Sequence, residues 1–169
     1  MRLVIHRLTV IPSGYPDTLD GIKRFFLETY GWRNVYHFLV WPDRVEQWAS
    51  LDVRGSHAAP HNTGSWGIAI IGDWRSSSPC AMQWDRAVDV AARLHWMDST
   101  WPHTWLYRNG YAYRRCSGHG ELPGITKNCP GGFFSMGQFR ADVRISLVEL
   151  RRNLDYVSPY QRSGVFGYE

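Results

Sequence analysis

No stretch of this chain is apolar over enough residues to cross a bilayer. The opening Met-Arg-Leu-Val-Ile-His-Arg-Leu-Thr-Val has three consecutive apolar residues before His6, far short of a signal-peptide apolar region or of the ~20 residues a membrane-spanning helix requires. Membrane insertion is therefore not expected, and no export signal is visible. Cysteine is scarce. Cys80, Cys116 and Cys129 cannot all pair, and without a secretory signal thiols are more often used for metal binding or chemistry than for disulfides. The net charge of +4 favours anionic partners such as cell-wall polymers, nucleic acid or membrane surfaces. Yet no block of five or six basic residues and no groove-reading motif occurs, which argues against specific nucleic-acid binding. Internal repeats and low-complexity linkers are absent too.

What is present fits one domain over residues 1–169. The 44% apolar content is that of a globular chain, and the length suffices for a single substantial core. Arg2 to His6 alternates as a strand does, with Leu3 and Ile5 on one face and Val4 and His6 on the other. Ile11 to Pro16 is a loop. Asp17 is placed to cap a helix from Thr18 to Tyr30, stopped by Gly31. Val35 to Val40 and Val45 to Trp48 form a hairpin, with Tyr36, Phe38 and Val40 sharing one face of the first strand. The run Trp66 to Gly72 is a fully buried central strand. Gln83 to Met97 and Ala141 to Leu154 have helical apolar stripes, the arginines of the second forming a solvated face. Asp98 to Arg115 is expected to be a loop and an irregular hairpin. The tail from Ser158 has no clear pattern.

Ser117 to Gly132 is dense in Gly and Pro, so turns shape its backbone, and it carries His119, Lys127 and Cys129. A neutral imidazole and a thiolate are both good zinc ligands, and a catalytic zinc takes three protein ligands while keeping one position open. His119 and Cys129 account for two. A satisfied loop histidine and a buried free thiol explain the same pair, and on these residues alone both readings stand. His6, at the exit of the first strand, is a candidate third ligand or a structural histidine.

Five segments stand in one order: Ile5-His6; Val35-Tyr36-His37-Phe38; Gly55-Ser56-His57-Ala58 followed by Asn62-Thr-Gly-Ser65-Trp-Gly67-Ile68; Gly118-His119; and Lys127-Asn128-Cys129-Pro130. Together they resemble the zinc-dependent N-acetylmuramoyl-L-alanine amidases of type 2, which include phage amidase-type lysozymes and the peptidoglycan recognition proteins. The resemblance runs from Ile5 to about Phe134. It implies an α/β domain with a central mixed β-sheet flanked by helices and a zinc site at one end of the sheet. It further implies Zn²⁺ held by His6, His119 and Cys129, catalytic roles for Tyr36 and Lys127, and contacts from His57 and Asn62 to substrate. Water at such a site ionises near pKa 7 instead of about 16, Lys127 would stabilise the oxyanion, and Tyr36 would orient the water or the intermediate. Glu121 is read as solvent-exposed or as an acid or base.

The activity so implied is hydrolysis of the amide between N-acetylmuramic acid and L-alanine, with peptidoglycan as partner and a monomer as the working form. The profile most resembles a phage endolysin made in the host cytoplasm and acting on the bacterial wall, with a bacterial cytosolic enzyme that recycles wall fragments as the alternative. Two rivals are a zinc peptidase cutting the stem peptide and a peptidoglycan-binding protein without catalysis. The sequence departs from the family in a longer spacing between His119 and Cys129, with nine residues between them, and in the aromatic stretch Trp101 to Tyr113.

Overall fold

Strand β1 (Arg2–Leu8) lies near the middle of a five-stranded sheet in the order β3-β2-β4-β1-β5. The other strands are β2 (Phe38–Val40), β3 (Val45–Gln47), β4 (Ser65–Ile71) and β5 (Cys116–Gly118). β1 runs parallel to both β4 and β5, β2 runs parallel to β4, and β3 closes the far edge antiparallel to β2. The sheet is thus mixed, as expected. The computed structural model describes residues 1–9, 14–100 and 116–155. The first residues of the loop from Ile11, the aromatic stretch Trp101 to Tyr113 and the tail from Ser158 lie outside the described residues.

Three α-helices among the described residues cover the sheet: α1 (Leu19–Tyr30), α2 (Ala81–Thr100) and α3 (Met136–Asp155). Leu3, Ile5, Phe38, Val40, Ile68 and Ile70 turn to the face covered by α2 and α3, where they pack with Val90, Leu94 and Phe139. The opposite face meets Ile22 and Phe26 of α1 through Leu39 and Ala69. β4 is buried along almost all its length because both faces are covered, which is why it reads as a continuous apolar run. Gln83 ties the start of α2 to the sheet. Its buried side-chain amide donates to the carbonyls of Val40 (3.0 Å) and Ile71 (2.8 Å), where two strands end.

Several boundaries differ from expectation. α1 is capped by Thr18, not Asp17: the Thr18 hydroxyl accepts from the Gly21 N–H at 3.2 Å, a cap worth about 1 kcal/mol. Gly31 ends it as expected, at φ 70°, with its N–H bonded to the Leu27 carbonyl. α2 continues through Asp98 to Thr100, so the loop expected from Asp98 does not begin there. α3 starts five residues before Ala141, after the Ser135 hydroxyl accepts from the Gln138 N–H at 3.2 Å. Tyr36 does not share a face with Phe38 and Val40. It packs with Leu39, Trp41 and Phe26 on the α1 side, because regular pairing of β2 begins only at Phe38 and the chain before it does not keep the two-residue alternation.

No helix among the described residues is long and apolar enough to cross a membrane.

Candidate metal centre

His6 is the fifth residue of β1 and, by alternation, points to the face opposite α2 and α3, where it is 1% exposed. β5 runs beside β1 as far as the Ile5–Gly118 pair, and His119 follows at once in a short 3-10 turn (His119–Glu121). The parallel register therefore delivers two histidines, more than a hundred residues apart in sequence, to one spot. Their rings lie 4.6 Å apart, centroid to centroid. Cys129 comes back to the same place because its loop closes on itself: the Gly120 N–H donates to the Cys129 carbonyl at 2.7 Å and the Cys129 N–H to the Lys127 carbonyl at 3.0 Å.

The coordinating atoms of His6, His119 and Cys129 all lie within 4.8 Å of one another. Two imidazoles and a thiol at that spacing suit a tetrahedral zinc with one position left for water. Burial, with help from the His57, His119 and Lys127 charges, holds the His6 imidazole well below its usual pKa. Burial and then Lys127 lower that of His119 as well. Both rings are thus neutral at pH 7, the form that binds metal. Burial raises the Cys129 thiol, an effect opposed by Arg7 and Lys127. The donor set fits the metal that the resemblance implies.

A cleft of about 830 Å³ opens over these residues, lined also by Tyr36, His57, Asn62 and Lys127. The Tyr36 ring lies 5.2 Å from that of His6. Burial first, and then the nearby Cys129, push its phenol upward in pKa, so its proton stays on. His57 sits deeper than a loop residue touching only substrate would. Its Nδ1 is 3.2 Å from Nε2 of His6. A Cβ on Gly67 would come within 2.6 Å of the His57 ring, so that glycine makes the room. Asn62 spends its side-chain oxygen on the His57 N–H (3.0 Å) and the Ala58 N–H (2.6 Å), fixing the turn that carries His57. Among the described residues lining the cleft there is no carboxylate, and Arg7 and Lys127 set its charge.

Glu121 is not a free acid or base. It accepts from the Gly118 N–H at 2.8 Å and pairs with Arg140 of α3 at 2.8 and 3.2 Å, which braces the turn bearing His119. Sequence reasoning missed Arg7. Its guanidinium donates to the carbonyls of Asn128 and Pro130 on either side of Cys129. The only signal was a cation following the candidate ligand His6.

The family model described as N-acetylmuramoyl-L-alanine amidase, type 2, matches residues 3–132. No curated protein sequence matches the chain significantly. Among solved structures, the chain is similar to the N-acetylmuramoyl-L-alanine amidase LysC of Clostridium intestinale, with a TM-score of 0.63 at 19% identity over 84% of this chain and 83% of that one. It also resembles Drosophila PGRP-LB, with a TM-score of 0.59 at 24% identity, covering 79% and 76% of the two chains. For the endolysin of the Thermus scotoductus bacteriophage Ph2119 the TM-score is 0.59 at 21% identity, over 84% and 83%. These likenesses are of fold.

Proposed function

We propose, from the premise that this chain belongs to the type 2 N-acetylmuramoyl-L-alanine amidase family, that residues 1–169 form one catalytic domain that hydrolyses peptidoglycan at the amide between N-acetylmuramic acid and L-alanine. The observation that carries this reading is the convergence of His6, His119 and Cys129, with ligand atoms within 4.8 Å, under a cleft that Tyr36 and Lys127 also line. Zinc bound by those three side chains would supply a Lewis acid for the scissile carbonyl and water with a pKa near 7.

The chain's own groups do the rest. Lys127 brings a fixed positive charge to the side of the cleft where the carbonyl oxygen gains negative charge, and so favours the tetrahedral state over the planar amide. Tyr36, kept protonated by burial, donates a hydrogen bond from its phenol to an oxygen in the cleft and orients it. His57 and Asn62 line the same space and hold the substrate against the histidine pair. With cations and no carboxylate among the described lining residues, the cleft favours an acidic peptide stem over a basic one. In this reading the protein is a lytic enzyme of phage origin, made in the host cytoplasm and acting on the wall as a monomer with no nucleic-acid partner; the fold shared with endolysins supports the lytic part of it.

The experiment is metal analysis of the purified protein with lysis of isolated peptidoglycan before chelation, after it, and after zinc is returned. About one zinc per chain, lysis lost and regained, and new amino-terminal alanine in the product are the expected results. New amino termini on other stem residues would instead make it a stem peptidase. Zinc binding without lysis would make it a binding protein.

A further inference from the structure

Cys129 stands at the end of a nine-residue excursion from His119 whose middle is packed down, with Leu122 buried against Val4 and Ala58, well before the cysteine is reached. Beyond the two bonds that close the loop at Gly120 and Lys127, residues 121 to 127 are held by a brace at Glu121, by the turns at Leu122 and Ile125, and by His61, whose Nε2 lies 2.8 Å from the Pro123 carbonyl. The cysteine's position is set from outside, by β1. Past Ile5 the β1–β5 ladder has ended, so on that side the end of β1 faces the loop instead of a strand. The Arg7 guanidinium reaches over Cys129 and donates from one nitrogen to both flanking carbonyls, that of Asn128 and, at 3.1 Å, that of Pro130. On its other side the guanidinium lies 3.8 Å from Asp73, which a second arginine, Arg75, also holds at 2.7 and 3.0 Å. The chain leaving Cys129 rests on this same corner, with the Phe133 N–H donating to the Trp74 carbonyl at 2.9 Å.

We propose that Arg7 is a positioning residue that clamps the Cys129 loop to the end of β1, bringing the thiolate to the two histidines, with Asp73 anchoring the clamp. The proposal rests on the reading of His6, His119 and Cys129 as a metal site. Arg7 touches no reacting atom in this role. The guanidinium gives Nη1 to the two carbonyls while its Nε lies 3.8 Å from Asp73 on the other side, two directions that a single ammonium cannot hold at once, so lysine is a poor replacement although it keeps the charge. Groups that orient metal ligands from behind typically change metal affinity by about 10- to 100-fold when removed. Asp73 acts one step further out and is shared with Arg75, so its loss has a smaller effect.

The test uses the full chain with Cys80, which is exposed, replaced by Ser, and compares it with Arg7→Gln, Arg7→Lys and Asp73→Asn in that background. Two quantities are read: Co²⁺ affinity with the thiolate-to-cobalt charge-transfer absorption, and the rate at which iodoacetamide labels Cys129 in the metal-free protein. Far-UV circular dichroism and the thermal midpoint serve as the check on folding. The expected result is a roughly 10- to 100-fold loss of Co²⁺ affinity with a weakened thiolate band in both Arg7 variants. Cys129 should also label several-fold faster, and Asp73→Asn should show smaller changes in the same directions. Full rescue by lysine would replace the guanidinium's two-sided hold with a simple charge effect and overturn the proposal. So would unchanged affinity and labelling in Arg7→Gln. If Arg7→Gln fails to fold, Asp73→Asn decides: unchanged affinity and labelling there overturn the anchored clamp. If the parent protein binds no Co²⁺ through Cys129, the metal reading fails, and the clamp is decided by labelling alone, with equal rates overturning it.

Discussion

Nε2 of His6 lies 3.2 Å from Nδ1 of His57, with the two rings edge to face at 85°. Two imidazoles at that distance share one proton between the facing nitrogens, and burial disfavours a second. The His57 pKa falls to about 3, from desolvation first and the His37 charge next. One ring nitrogen of His6 is thereby engaged, which fixes its orientation and leaves the other for a metal. Replacing His57 by Phe, which fills the space and removes the partner, is expected to lower zinc affinity by about 10-fold or more with a smaller change in thermal stability of the metal-free protein. Competition with a chromophoric chelator measures it. An unchanged affinity would confine His57 to substrate contact.

The site should also report itself through stability. A ligand that binds only the folded chain stabilises it by about 4 kcal/mol when present at a thousand times its dissociation constant. Zinc removal is therefore expected to lower the thermal midpoint, and zinc return to restore it. In Cys129→Ser the midpoint should be indifferent to both, and lysis should fall to background. A calorimetric scan of the two proteins with and without chelator distinguishes a built site from casual metal binding at surface histidines.

Lys127 and Tyr36 should separate chemistry from binding. Neither belongs to the three-donor cluster, so Lys127→Ala and Tyr36→Phe are expected to keep their zinc. Loss of one group that stabilises developing negative charge typically costs about 10²- to 10³-fold in kcat, and that is the size expected for Lys127→Ala, with KM changed little. Tyr36→Phe removes only the phenolic oxygen from a packed ring, so its effect should also appear in kcat and not in stability. Metal content beside steady-state lysis of each variant checks both.

The sheet's centre was legible from the sequence because burial writes itself into composition. Trp66 to Gly72 is apolar throughout since both of its faces are covered, and Leu3 with Ile5 stands opposite Val4 with His6 since β1 faces the large core on one side and, on the other, a small apolar cluster at Val4 and the cleft at His6. Gly31 marked the end of α1 through the left-handed conformation it adopts. β5 was not legible: three residues, Cys116 to Gly118, carry too little pattern to distinguish a strand from a turn. The side of Tyr36 was misjudged because alternation holds only where strands pair. At the site, His119, Lys127 and Cys129 were visible through residue type and spacing in a loop of turns. Arg7 was not, because its partners are two backbone carbonyls more than 120 residues away, and a carbonyl leaves no trace in side-chain identity.

Burial of His37 predicts an acid limit to stability that is separate from the metal ligands. Its Nδ1 accepts from the Gly67 N–H at 3.0 Å and its Nε2 faces the Val53 carbonyl at 3.0 Å, so the neutral ring with its proton on Nε2 satisfies both neighbours. A proton on Nδ1 would meet an N–H head on. Desolvation accordingly lowers the folded-state pKa below 6.5, opposed in part by the Val53 carbonyl. Below pH 6.5 the unfolded chain takes up a proton at this position that the folded chain refuses. The contribution is therefore complete above pH 6.5, declines as pH falls below it, and is gone below the folded pKa. Urea midpoints measured from pH 8 to pH 5 should fall through this window. In His37→Asn, whose side-chain oxygen can still accept from Gly67, the fall should be shallower. At pH 8 that variant should be less stable by about 1–3 kcal/mol, because the Val53 carbonyl loses its partner. The other buried imidazoles leave some slope in the variant, so the measured quantity is the difference between the two slopes. Equal slopes would place the acid sensitivity elsewhere.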